Sequence, residues 1–164
     1  MRATLNRGLI LTLVLFLFGG IAANAGVLLT SARTSNPFTF TYAPGGSSTV
    51  PIALNDAGAT SLSFSLATAQ TVVVTFSSEC SGNTSGTWVV AVVVIDGSII
   101  ATGDGGFRYT RLCAGGEPQK AISRTVFSSL AAGNHTVSVV AAIEGPPFNF
   151  YNATFEKNVL VVTN

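Results

Sequence analysis

Two stretches of the chain alternate strictly between apolar side chains and hydroxyls: Phe38-Thr39-Phe40-Thr41-Tyr42 and Ser61-Leu62-Ser63-Phe64-Ser65-Leu66. A repeat of two places every large group on one face of an extended chain and every hydroxyl on the other, which a half-buried strand requires and a helix cannot use. Val72, Val74 and Phe76 continue the pattern, and Trp88 to Ile95 is apolar throughout. Asp96-Gly97 then separates that run from Ser98-Ile99-Ile100-Ala101, a two-residue link that accepts positive φ at both positions and so predicts a tight hairpin. Further strands are expected over residues 107–113, 121–127, 135–143 and 155–162, parted by Gly-rich or Pro-rich turns such as Gly103-Asp104-Gly105-Gly106 and Gly145-Pro146-Pro147. No stretch carries capped helical periodicity over about ten residues. The pattern predicts an all-β fold: a two-sheet antiparallel sandwich, jelly-roll-like, of about nine or ten strands. Residues 37–164 are expected to form this single domain, with 26–36 as a loosely ordered lead-in.

One strand exceeds what a sandwich with a wet outer face needs. In Trp88–Ile95 the even positions (Trp88, Val90, Val92, Val94) and the odd ones (Val89, Ala91, Val93, Ile95) are all apolar, and Val140 and Ala142 interrupt the polar face of the strand starting at His135. Strands of this kind lie where both faces are covered. The cover is expected to be either a loop of the same chain or a second copy.

The start of the chain carries a different signal. Arg2 and Arg7 precede an uncharged apolar run from Leu9 to Phe18, which Gly19-Gly20 breaks, and Ala23-Asn24-Ala25 sets small residues before Gly26. That is the pattern of a cleavable secretory signal peptide over residues 1–25. The run is shorter than the roughly 20 apolar residues that span a bilayer, so no membrane anchor is expected after cleavage. Cleavage would leave 139 residues (164 − 25), enough for one domain with its own core. It would also remove two of the eight basic residues, so that six basic face seven acidic ones and the formal charge moves from +1 to −1. A chain so nearly neutral is a poor partner for nucleic acid or an anionic membrane, which demand basic clusters. Only 9% of the chain is charged, so Ser, Thr, Asn and Gly must supply most of its wet surface. Cys80 and Cys113 are the only cysteines. In an exported chain an even count predicts a disulfide, and the competing metal reading lacks further ligands at metal spacing.

The stretch Val94-Ile95-Asp96-Gly97-Ser98 and the later Leu130-Ala131-Ala132-Gly133-Asn134-His135-Thr136-Val137-Ser138-Val139 resemble a hairpin and a turn-strand unit common in exported bacterial β-sandwich domains. They are also similar to late strands of jelly-roll modules in the complement-globular-head and tumour-necrosis-factor group, which form trimers. The resemblance covers two strand-turn units. It implies the fold class and self-association, and carries over no binding residue.

Side chains with chemical potential are few. His135 is the only histidine; a hydrolase would pair it with a serine and with Asp56 or Asp96. The chain has no G-x-S-x-G elbow, and a lone histidine after a Gly-Asn turn reads as structural, so no catalytic residue is assigned. Asp96, Asp104 and Glu117 lie in oxygen-rich turns but without dense D-x-D runs, and turn chemistry accounts for the aspartates; no metal or other cofactor is assigned. Residues 102–119 are the most charged part of the mature chain and hold Arg108 and Tyr109, candidates for ligand contact on a loop stiffened by a disulfide. Phe148-Asn149-Phe150-Tyr151-Asn152 combines aromatic rings with amides. Rings stack on the apolar side of sugars and amides bond to their hydroxyls, so Phe148, Asn149, Tyr151 and Asn152, with Trp88 or Tyr42, make a candidate carbohydrate-binding strip. Three Asn-x-Ser/Thr triplets, at Asn83, Asn134 and Asn152, fit the N-glycosylation pattern.

Together these features predict a secreted or cell-surface, non-enzymatic structural or interaction module that meets a protein partner or a second copy. The alternative is a module for an extracellular glycan.

Overall fold

The computed structural model describes residues 26–35, 37–42, 49–82, 88–100, 110–114, 116, 119–144 and 151–164. The expected signal peptide therefore lies outside the described residues. Among the described residues the fold is all β, with eleven strands: β1 (Val27–Arg33), β2 (Phe38–Tyr42), β3 (Thr49–Pro51), β4 (Ser61–Leu66), β5 (Gln70–Gly82), β6 (Trp88–Ile95), β7 (Ser98–Ile100), β8 (Thr110–Ala114), β9 (Lys120–Leu130), β10 (Gly133–Glu144) and β11 (Tyr151–Thr163).

They form two antiparallel sheets. In the first, β11 pairs with both β1 and β2 along one flank and with β5 along the other, and β5 pairs with β9. In the second, β10 pairs with β3 and β4 on one flank and with β6 on the other, and β6 pairs with β7 and β8. Interrupted edge strands thus share rows, and each sheet is four rows wide. The two sheets pack as the expected sandwich.

The interior follows from strand parity. Val72, Val74, Phe76 and Cys80 of β5 point inward, as do Val137, Val139 and Ala141 of β10, and Val89, Ala91, Val93 and Ile95 of β6. All are buried, and Phe76 and Phe155 are the largest side chains sealed from solvent among the described residues. β11 breaks the simple rule, because Phe155 and Leu160 differ in parity yet both lie in the core. Between them the register with β5 slips: Glu156 opposes Glu79 and Val159 opposes Ser77, so Lys157 and Asn158 together oppose Ser78. Lys157 turns the backbone with φ 49°, and this β-bulge restores the inward row.

One expectation needs correction. Val27–Arg33 is not a loose lead-in but strand β1, registered with β11 from Val27 opposite Thr163 to Arg33 opposite Asn158. Its own alternation is weak because Leu28 and Leu29 are adjacent, so its order comes from a partner far along the chain. The brief strand β3 was also hidden, being three residues long. As for β6, Val90 and Val92 are 1% and 6% exposed in the single chain, although neither belongs to the cluster between the sheets. On that outer face Val90 and Val92 are covered within the single chain, while Val94 is half-buried and Trp88 exposed.

The Asp96-Gly97 hairpin is present, with φ of 49° and 77°, the pair of left-handed residues that a twisted two-residue hairpin uses. The Cys80–Cys113 disulfide is also present and joins β5 of one sheet to β8 of the other, with Cα atoms 6.0 Å apart. It closes a loop of 33 residues, which in the chain-entropy account stabilises the fold by about 3–4 kcal/mol. The double substitution Cys80→Ala/Cys113→Ala should lower the unfolding free energy by about that amount in a denaturant titration; an unchanged midpoint would show that the bridge contributes nothing.

Candidate functional site

The sandwich has two ends of different character. At one end β5 finishes at Gly82, β6 starts at Trp88, β10 finishes at Glu144, β11 starts at Tyr151 and β2 finishes at Tyr42. The register pairs Tyr151 with Tyr42, Ala153 with Gly82, and Trp88 with Glu144 and Ala114. This brings three expected site residues, Trp88, Tyr151 and Asn152, to one end, though on different sheets. Trp88 is 38% exposed. Asn152 is exposed, and its Oδ1 accepts a hydrogen bond of 2.6 Å from Thr41 Oγ1 across the β2–β11 pair. Phe148, Asn149, Arg108 and Tyr109 lie outside the described residues, as do Asp104 and Glu117.

His135 lies at the opposite end, opposite Phe64 in the β4–β10 pair, with the two rings 5.5 Å apart. The structure does pair it with Asp96: Nδ1 is 2.7 Å from Asp96 Oδ2. Its Nε2, however, lies 3.0 Å from the Ala131 carbonyl oxygen. An imidazole with an acceptor at each nitrogen donates from both, so the protonated ring suits the site and neither nitrogen is left to take a proton from a nucleophile. Asp96 is committed as well, since its Oδ1 accepts the Thr136 amide at 2.8 Å. The cluster ties the β6–β7 hairpin to the start of β10. Among the described residues, no group of three or more His, Cys, Asp or Glu side chains is placed to hold a metal ion.

These contacts move both titrations. The hydrogen bond to Asp96, and then that to the Ala131 carbonyl, raise the His135 pKa above 6.5. The same bond to His135, with the Thr136 amide, lowers that of Asp96 below 3.8. A raised histidine pKa gives stability that is complete below pH 6.5 and fades as pH climbs through the folded-state value. A lowered carboxylate pKa gives stability that is complete above pH 3.8 and fades as pH falls through its folded-state value. Both contributions are whole between those two pH values. Thermal melts across pH should show the wild type losing stability on the alkaline side relative to His135→Asn, and parallel curves would refute the latch.

Three features were not legible in the sequence. One is a buried polar knot at the bulge: Ser78 Oγ donates to Asn158 Oδ1, and Asn158 Nδ2 donates to the Ala53 carbonyl at 3.1 Å. The second is a polar group beside it, where Lys157 Nζ lies 3.2 and 3.1 Å from the two Glu79 carboxylate oxygens and Gln119 Nε2 donates to Glu79 at 3.4 Å. Glu79 and Lys157 border a shallow depression of about 320 Å³, lined also by Ser77, Ile122 and Ser123. The third is Phe127, 64% exposed on the outer face of β9. Only the parity break between Phe155 and Leu160 hinted at the bulge that builds the first two.

No family model matches the chain, and no curated protein matches it. Among solved structures, the chain is similar to an infectious bursal disease virus Gt strain structure, with TM-score 0.55 and 12% identity over 85% of this chain. It is equally similar to the D431N mutant VP2 protein of the same virus in derived T=1 particles, at TM-score 0.55 and 12% identity over 85% of this chain. The chain spans about a third of the length of those viral chains (33% and 32%). A looser likeness is to the EclA C-terminal domain, a sugar-binding protein, at TM-score 0.41 and 11% identity over 86% of both chains. At these identities the two viral likenesses establish the β-sandwich fold and nothing beyond it.

Proposed function

We propose that the chain is an exported, non-enzymatic interaction module that acts at or outside the cell surface and associates with a second copy through the edge of β9. The signal-like residues 1–25 and the disulfide between sheets support the compartment, since such bridges persist in oxidising surroundings. The capping of both His135 nitrogens supports a non-catalytic role.

The observation that carries the association is β9 itself. It is eleven residues long and pairs with β5 along its whole length, from Lys120 opposite Cys80 to Leu130 opposite Gln70. Its other flank pairs with none of the described strands. The strand contains no proline and shows no bulge against β5, and such an edge is a template for a further strand. Arg124 adds direction. It belongs to the inward row with Ile122 and Val126, yet it is exposed. Like charges directly opposite one another destabilise a pair, so a two-fold axis nearer Phe127 than Arg124 is favoured. Light scattering of the concentrated protein should return twice the chain mass, and a strict monomer would contradict the proposal. Proline placed in turn at Arg124, Thr125, Val126, Phe127 and Ser128 should abolish the dimer without unfolding at alternate positions, where the amide faces outward.

A second reading is favoured by the convergence of Trp88, Tyr151 and Asn152 at one end of the sandwich. There the protein would bind an extracellular glycan, and glycan-array binding lost in Tyr151→Ala would support it.

A further inference from the structure

The outer face of the β5–β9 pair has an unusual surface. Its outward side chains on β5 are Thr71, Val73, Thr75, Ser77 and Glu79, and on β9 they are Ala121, Ser123, Thr125, Phe127 and Ser129. Three pairs of hydroxyls meet across the strands: Thr71 with Ser129 at 3.2 Å, Thr75 with Thr125 at 3.0 Å and Ser77 with Ser123 at 2.8 Å. From Thr71 to Ser77, and from Ser123 to Ser129, this face carries no charge. Phe127 stands on it opposite Val73, its ring largely in water. The depression bordered by Glu79 and Lys157 closes the other end of the row.

We propose that this face, from Phe127 to the Glu79–Lys157 depression, is a binding track for a neutral oligosaccharide. The proposal keeps the saccharide class of the second reading above but moves the site from the end of the sandwich to the sheet face. The ligand class follows from what the face offers. An exposed aromatic ring presents an apolar plane for the carbon face of a pyranose, an amphipathic contact that an aliphatic chain makes less well. Hydroxyls paired with each other each keep further bonding capacity, since a hydroxyl donates once and accepts twice. They can therefore exchange bonds with sugar hydroxyls without leaving buried groups unsatisfied. In the depression, Glu79 accepts from and Lys157 donates to adjacent hydroxyls, and bonds with an ionised partner are the stronger kind. Both side chains reach solvent, at 33% and 63% exposure.

Geometry sets the length of the ligand. Phe127 is four residue steps along β9 from Ser123, about 13 Å, which is too far for one sugar ring and suits a short chain laid along β9. The track favours a neutral chain over an acidic one, because the outward β5 and β9 rows described above carry no cation to pair with an acidic sugar and Glu79 would repel it. Lys157 is placed by the bulge. Its φ of 49° is a left-handed conformation that L-residues seldom adopt, and its ammonium lies against Glu79.

Amide chemical-shift mapping of the purified protein, titrated separately with cellohexaose, xylohexaose and mannohexaose, tests the assignment. At least one probe should move the amides of Thr75, Glu79, Ser123, Thr125 and Phe127. Phe127→Ala should weaken that binding at least tenfold and Glu79→Gln severalfold, with unchanged circular dichroism, since both side chains lie outside the core. Shifts confined to Trp88, Tyr151 and Asn152 would overturn the track while sustaining glycan binding at the end of the sandwich. The absence of shifts with all three probes at millimolar concentration would overturn the track outright. Neither result bears on self-association, which light scattering reads separately.

Discussion

Burial of two inward rows against each other is the constraint on which everything else rests. β5 supplies Val72, Val74 and Phe76, β10 supplies Val137, Val139 and Ala141, and all belong to one continuous core cluster. With 9% charged residues and few chemically reactive ones, the chain has little besides this apolar contact and its backbone ladders to hold two sheets together. Each fully buried Val or Phe side chain contributes about 1.5–3 kcal/mol, so the cluster as a whole far outweighs any single polar contact. The disulfide adds a covalent tie between the same two layers.

The ends and edges of the sheets are then fixed by polar groups that finish what the core begins. Residues 52–56 cross from one sheet toward the other: the Ile52 amide bonds to the Val139 carbonyl, Ala53 accepts from Asn158, and Leu54 accepts from Ser31. Asp56 caps the end of β1 by accepting the Thr34 and Ser35 amides, and these bonds hold its carboxyl down at a pKa of about 2. The crossing also explains how a bulge can sit in β11 at no unsatisfied cost. Asn158, turned inward there, finds a donor in Ser78 and an acceptor in Ala53, as a buried amide must.

How much of this was legible depended on whether the deciding interactions were local. Strict alternation at Phe38–Tyr42 and Ser61–Leu66, and Asp96-Gly97 after an apolar run, are local signals, and the strands and hairpin are found there. The disulfide needed only the count of cysteines and the suggestion of export. β1 was missed because its order is lent by β11 more than a hundred residues away. The candidate site fared less well for the same reason. Trp88 and Tyr151 reach the same end of the sandwich only through the topology of two different sheets, and nothing in the composition marked Phe127 as the exposed ring or Lys157 as the residue at the bulge. His135 was read as a structural residue, and its contacts with Asp96 and the Ala131 carbonyl could be fixed only by the fold.

Self-association depends on the outer flank of β9, which pairs with none of the described strands, while the rows beside it are sealed. Amide hydrogen exchange, followed residue by residue in dilute protein, measures this directly. The account predicts slow exchange throughout the central strands β5 and β10, and an alternating pattern in β9, with every second amide exchanging as fast as a loop. Uniform protection along β9 in the dilute protein would contradict it, because the edge would then already be covered within the single chain.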